Sequence, residues 1–193
     1  MEKQQEKRRI EHVVEKSLQE LDSGDIDEAS REGTLGAYLH GFYNQVGMKE
    51  GWLKEEYATP LSEQDEVNKR KNIDAAKDVV KYWSQQLEGR GEDVIEEMKR
   101  CVNYEANRGY GPLEKAADAQ HEQWKNFVEE HQPERITPGH EEFREKNYEQ
   151  FKKRYHDLSE QEKDQDRLVV AVITDRILTE ADIGYEAKIE VEE

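Results

Sequence analysis

Residues 158–178 read "LSEQEKDQDRLVVAVITDRIL". Two features of this stretch decide the fold. Ser159 with Glu162 three positions on is the pattern of a capping box, in which hydroxyl and carboxylate each take a backbone N–H at a helix start. The run from Leu168 to Ile173 is apolar on every side of the helix so opened, which predicts a rod buried all round. Such a rod needs other helices to cover it.

The rest of the chain offers them. Apolar residues recur at intervals of three and four over 10–21, 35–46, 67–87, 94–102, 113–128 and 143–155. The breaks between these runs are rich in glycine and proline: "DSGD" at 22–25, "EGRG" at 88–91, "NRGYGP" at 107–112 and "HQPERITPGH" at 131–140. Pro112 sits where a first-turn proline belongs, and Thr137 with Pro138 reads as a second cap and first turn. Only "YEAKIEVEE" at 185–193 alternates, with Ile189 and Val191 on one side, as a short extended tail. The expectation is an all-α bundle of about seven helices. Its organisation is an N-terminal unit over 1–105 and a second over 112–193, either separate or packed as one domain.

Charge narrows the function classes. The 193 residues hold 29 Lys and Arg against 46 Asp and Glu, a net charge of −17. A field of that sign repels phosphate backbones and anionic lipid, so direct nucleic-acid binding and membrane binding are not expected. No apolar run approaches 18 residues, and the opening "MEKQQEKRRIEHVVEK" is charged, which points to a cytoplasmic chain. Cys101 is the one cysteine, leaving no internal disulfide and too little sulfur for a zinc knuckle.

The tetrapeptide "LSEQ" also occurs at 61–64, again ahead of a long helical run. Two accounts stay open. Serine followed by acids is favoured at any helix start, where the hydroxyl takes an orphan N–H and the carboxylates oppose the dipole. Alternatively the copies mark one duplicated helix–loop–helix unit, since each lies downstream of a His-bearing aromatic helix, "YLHGFYNQ" or "QHEQWKNF".

The second copy and its surroundings resemble a known family. His121, Glu122 and Trp124, then Leu158, Ser159, Glu160, Glu162, Lys163, Asp166 and Arg167, are similar to the two signature elements of the ryanodine-receptor repeat (RyR-like) domain, which also occurs in bacterial and phage proteins. The resemblance spans roughly residues 113–178, with a degenerate copy over 35–87 that keeps Gly51 and Trp52. The family's Gly-Trp-x-Tyr-Gly segment is missing from the second half. The resemblance implies a small helical module for interaction or ligand binding, without catalysis and without a cofactor.

Chemistry-bearing motifs are few. Glu141, Glu142 and Glu145 have the Glu-Glu-x-x-Glu spacing of Mg²⁺-dependent all-α nucleotide pyrophosphohydrolases, but no Glu-x-x-Asp helix follows. His121, His131 and His140 match no ligand spacing, and His156–Asp157 is a single dipeptide. Aromatic residues at helix–loop junctions carry more weight, because a half-buried ring there can stack on a planar ligand or anchor a partner. The expected ligand-binding residues are Trp52, His121, Trp124 and Arg167, with Arg167 also able to tie two helices through a carboxylate such as Glu122. The reading is a non-enzymatic binding module for a protein or a small nucleotide-like ligand. A homodimer is a further expectation, drawn from aromatic stripes in excess of what so polar a chain can bury. An acidic inhibitor that mimics nucleic acid, or a Mg²⁺-dependent hydrolase, are the alternatives.

Overall fold

The computed structural model describes residues 2–22, 24–131 and 148–185. They are helical throughout, with no strand among them. In chain order the α-helices are α1 (Glu2–Leu21), α2 (Ile26–Ala29), α3 (Leu35–Lys49), α4 (Glu66–Arg90), α5 (Asp93–Val102), α6 (Gly111–His131) and α7 (Glu160–Glu180). Three 3-10 turns, Glu55–Tyr57, Leu61–Glu63 and Tyr155–Asp157, lie in the connections. The expected Thr137 cap, the Glu141, Glu142 and Glu145 cluster and the 186–193 tail lie outside the described residues.

Helix α7 is the axis of the bundle. Its capping box forms as expected: the Ser159 N–H donates to Glu162 at 2.7 Å and the Glu162 N–H donates to Ser159 Oγ at 3.3 Å. Every residue from Arg167 to Thr174 is buried, and α1, α3, α4, α5 and α6 all pack on it. The Thr174 hydroxyl enters this core and is fully used. Thr174 Oγ1 donates to the Val170 carbonyl at 2.6 Å and accepts from Trp83 Nε1 at 2.8 Å, so neither polar group is stranded. The apolar cluster runs through both sequence halves, taking in Ile10, Trp83, Leu113 and Ile173.

The two "LSEQ" segments differ in structure. The second supplies the cap of α7. The first does not start α4: Leu61–Glu63 is a 3-10 turn, Gln64 is extended, and Asp65 caps the helix by accepting the Asn68 N–H at 2.8 Å. The reason lies in the anchors of the turn. Leu61 is buried and the Gln64 amide bonds to Thr59, which holds the tetrapeptide against α3 and moves the helix start to the next acceptor in the chain. At the other end α4 closes on Gly91, whose φ of +68° suits glycine.

Two further departures have simple causes. Asp25 accepts the N–H groups of Asp27 and Glu28, which is enough to wind the one-turn α2 where the sequence shows only a break. The run expected to stay helical to Tyr155 is helical over 148–151, then turns. Tyr155 instead opens a 3-10 turn, with its ring buried beside Ala117 and Leu158 and its hydroxyl donating to Glu114 at 2.7 Å.

Candidate functional site

A cleft of about 360 Å³ opens between α3, the α3–α4 connection, α4, α6 and the first turns of α7. Three of the four expected site residues meet there: Trp52 from the connection, and His121 and Trp124 from α6. They come from segments about 70 residues apart, so only the fold brings them together.

Each aromatic is positioned by a local device. Trp52 is buried against α3, where Gly47 makes the room: a Cβ on Gly47 would lie 2.4 Å from Trp52 Nε1. That indole N–H is buried with no hydrogen-bond acceptor. Tyr43 flanks the ring at a centroid distance of 6.1 Å. On the opposite wall His121 and Trp124 stack, with centroids 5.7 Å apart and planes at 28°. Phe127, one turn on from Trp124 along the same face of α6, extends this apolar wall.

The neighbours of His121 favour its charged form. Its Nε2 faces the Lys153 carbonyl and its Nδ1 faces Asp166 Oδ2, each at 3.1 Å. With Asp166 ionised both partners accept and both ring nitrogens donate, which is the imidazolium form; burial raises the Asp166 pKa, and the His121 ring opposes that rise. Burial works against that charge, but the hydrogen bond and charge of Asp166, with the Lys153 carbonyl, outweigh it and raise the His121 pKa above the usual imidazole value. His40 on α3 is the converse case. Burial lowers its pKa, and as a neutral ring it donates from Nε2 to the Thr59 carbonyl at 2.8 Å. Asn44 Nδ2 donates to the same carbonyl at 3.1 Å, which moors the connection that carries Trp52.

Arg167 lies elsewhere. Its side chain is 3% exposed and does not line the cleft. It makes a two-pronged fork to Glu114, Nε to Oε1 at 3.0 Å and Nη2 to Oε2 at 2.9 Å, and its Nη1 reaches Asp164 at 2.8 Å and Glu160 at 2.9 Å. The tie between helices expected of it therefore forms, but with Glu114 in place of Glu122, which pairs with Lys125 on its own helix. Position 114 lies two turns nearer the start of α6, opposite the first turns of α7. Arg108 adds to the cluster by pairing with Asp164 at 2.7 Å.

Several polar residues of the cleft escaped the sequence reading. Gln120, 5% exposed, leaves its Oε1 without a hydrogen-bond partner among the described residues. Asp74 and Asp78, one turn apart on α4, face the same space, and burial raises the pKa of both. Neither has an ion-pair partner among the described residues. Lys71, also in the lining, has its pKa lowered by burial. Spacing alone gave no sign of these residues, because a charged or amide side chain on a helix ordinarily marks the solvated face.

The remaining reactive groups are remote from the cleft. Cys101 is fully buried in the core, and burial pushes its thiol pKa up to about 12, which leaves it inert. Among the described residues no set of three His, Cys, Asp or Glu is placed to hold a metal ion. No described helix is long and apolar enough to cross a membrane. No protein-family model matches the chain, nor does any curated protein or solved structure.

Proposed function

We propose that this chain is a non-catalytic binding module that takes a small planar ligand into the cleft between Trp52 and Trp124. The observation that carries the reading is the convergence of Trp52, His121 and Trp124 on one cavity whose volume suits a one- or two-ring molecule. The arrangement favours binding over turnover. His121, the obvious acid–base candidate, has both nitrogens engaged by the protein. Capture of a protein partner has less support, since Met48 and Tyr148 are the large hydrophobic side chains exposed among the described residues. The aromatic stripes from which a dimer was expected are spent largely inside the bundle, as with Trp83 and Tyr104. The helical, acidic, two-signature character that resembles the RyR-like domain agrees with a ligand-binding role, and that kinship is part of the proposal.

Tryptophan emission tests the reading directly. Of the three tryptophans, Trp52 and Trp124 line the cleft and Trp83 is sealed in the core as a constant background. Titration with a set of purine and pyrimidine nucleosides is expected to quench the emission saturably and to raise the thermal midpoint. Trp124→Ala is expected to weaken binding about tenfold, the loss of one stacking face. No saturable change with any nucleoside up to millimolar concentration would overturn the proposal.

A further inference from the structure

The charges of the cleft identify the class of ligand more closely. Among the described residues six carboxylates line it, Glu56, Asp65, Asp74, Asp78, Glu162 and Asp166, against one ammonium, Lys71. Three of the six are occupied by the protein. Asp65 caps α4, Glu162 closes the capping box of α7 and takes Lys153 at 3.0 Å, and Asp166 holds His121. The other three have no ion-pair partner among the described residues. Two of these, Asp74 and Asp78, lie on successive turns of α4 and so point the same way.

Facing them across the cleft is the α6 wall, with Gln120, Trp124 and Phe127. Gln120 adds an independent sign of a missing ligand. Its Oε1 is a buried acceptor with no donor among the described residues, in a side chain only 5% exposed. A buried acceptor without a donor is costly, and a ligand that brings N–H groups relieves the cost. Unpaired carboxylates, an orphan acceptor and aromatic faces together form the recognition set for a nitrogen cation, which salt-bridges and donates at one end and stacks at the other.

We infer that the cleft selects organic cations, a planar or aromatic body carrying an amidinium, guanidinium or ammonium group, with the charged end toward Asp74, Asp78 and Gln120 and the ring between Trp124 and Trp52. This rests on the reading of the cleft as a small-molecule site and adds the sign of the ligand's charge. It also separates the nucleoside part of a nucleotide from its phosphates, which the same carboxylates repel.

Three probes of one shape test it: benzamidine, benzamide and benzoate, which differ in charge and hardly in size. Binding to the full chain is read by tryptophan quenching and calorimetry at low salt. Benzamidine is expected to bind at least about tenfold more tightly than benzamide, the gain of a charge-assisted hydrogen bond over a neutral one, with benzoate weakest. Replacing both acids, Asp74→Asn with Asp78→Asn, is expected to erase the advantage of benzamidine over benzamide, because benzamidine loses far more than benzamide does. The double variant removes half-buried charge that has no ion-pair partner among the described residues, so its thermal midpoint should hold or rise, which separates lost recognition from lost folding. Equal binding of all three probes, or preference for benzoate, overturns the inference and leaves the small-molecule reading intact. A benzamidine advantage that survives in the double variant overturns the assignment to these two acids. Absence of quenching by any of the three, together with silence in the nucleoside titration, overturns both.

Discussion

Gly47 shows how a residue without a side chain can place one with the largest. The indole of Trp52 lies so close over α3 that a methyl at position 47 would meet Nε1 at 2.4 Å, Cδ1 at 2.8 Å and Leu53 Cβ at 2.9 Å. Gly47→Ala is therefore expected to push the indole off its seat, cost about 1–3 kcal/mol of stability as other overpacked sites do, and shift Trp52 emission to the red. An unchanged spectrum and unfolding midpoint would show that the loop gives way without loss. The residue scale also shows what can be read from sequence alone. Trp52, His121 and Trp124 could be picked from the sequence as candidates for the cleft, although His121 and Trp124 lie within α6 and not at its end. Arg167 was legible as a structural tie but its partner was not, since choosing among Glu114, Glu122 and their neighbours requires the crossing geometry of α6 and α7. Gln120, Asp74 and Asp78 gave no signal at all, because burial by a facing helix is a tertiary fact.

At the scale of elements, the two "LSEQ" copies are an internal experiment on helix starts. Ser159 caps α7 with its own hydroxyl, whereas Ser62 sits exposed in a 3-10 turn and Asp65 caps α4. Ser159→Ala is expected to cost about 1 kcal/mol in urea-melt stability. Ser62→Ala, removing an exposed hydroxyl, should stay within about 0.5 kcal/mol of the parent. Equal losses in the two variants would mean that Ser62 has a role its exposed position does not reveal. The helices themselves were readable from apolar spacing because each carries a stripe wide enough to bury. Their boundaries were less so. The start of α4 depended on Thr59 holding the chain down, and the short α2 on a single capping aspartate, neither of which leaves a periodic trace.

For the whole molecule, the all-α class followed from one rod apolar on every side over 168–173, and the fold has that rod at its centre, packed by α1, α3, α4, α5 and α6. Its stability should carry the marks of the ion pairs that join the helices. His121 has a pKa raised on folding, so its contribution is complete below the ordinary imidazole value of about 6.5 and fades as pH climbs through the folded value. Glu114 has the opposite sign. Burial favours its protonated form, but Arg167, Tyr155 and the Gly109 N–H prevail and lower its pKa, so its contribution is present above the ordinary carboxylate range and is lost as pH falls through the folded value. Urea midpoints measured from pH 6 to pH 8.5 are expected to decline in the parent chain and to be flatter in His121→Gln. An equal slope in both would show that the imidazolium is not what joins α6 to α7. The mooring of Thr59 has a consequence at this scale too. Because His40 and Asn44 fasten the connection to α3, Trp52 is seated on α3, while Trp124 belongs to α6. The two rings are thus two jaws that share a floor of α4 and α7, and the bite is set by that floor. A change of volume at Val169 or Ala75 would alter the gape and with it the thickness of guest admitted, without touching either ring.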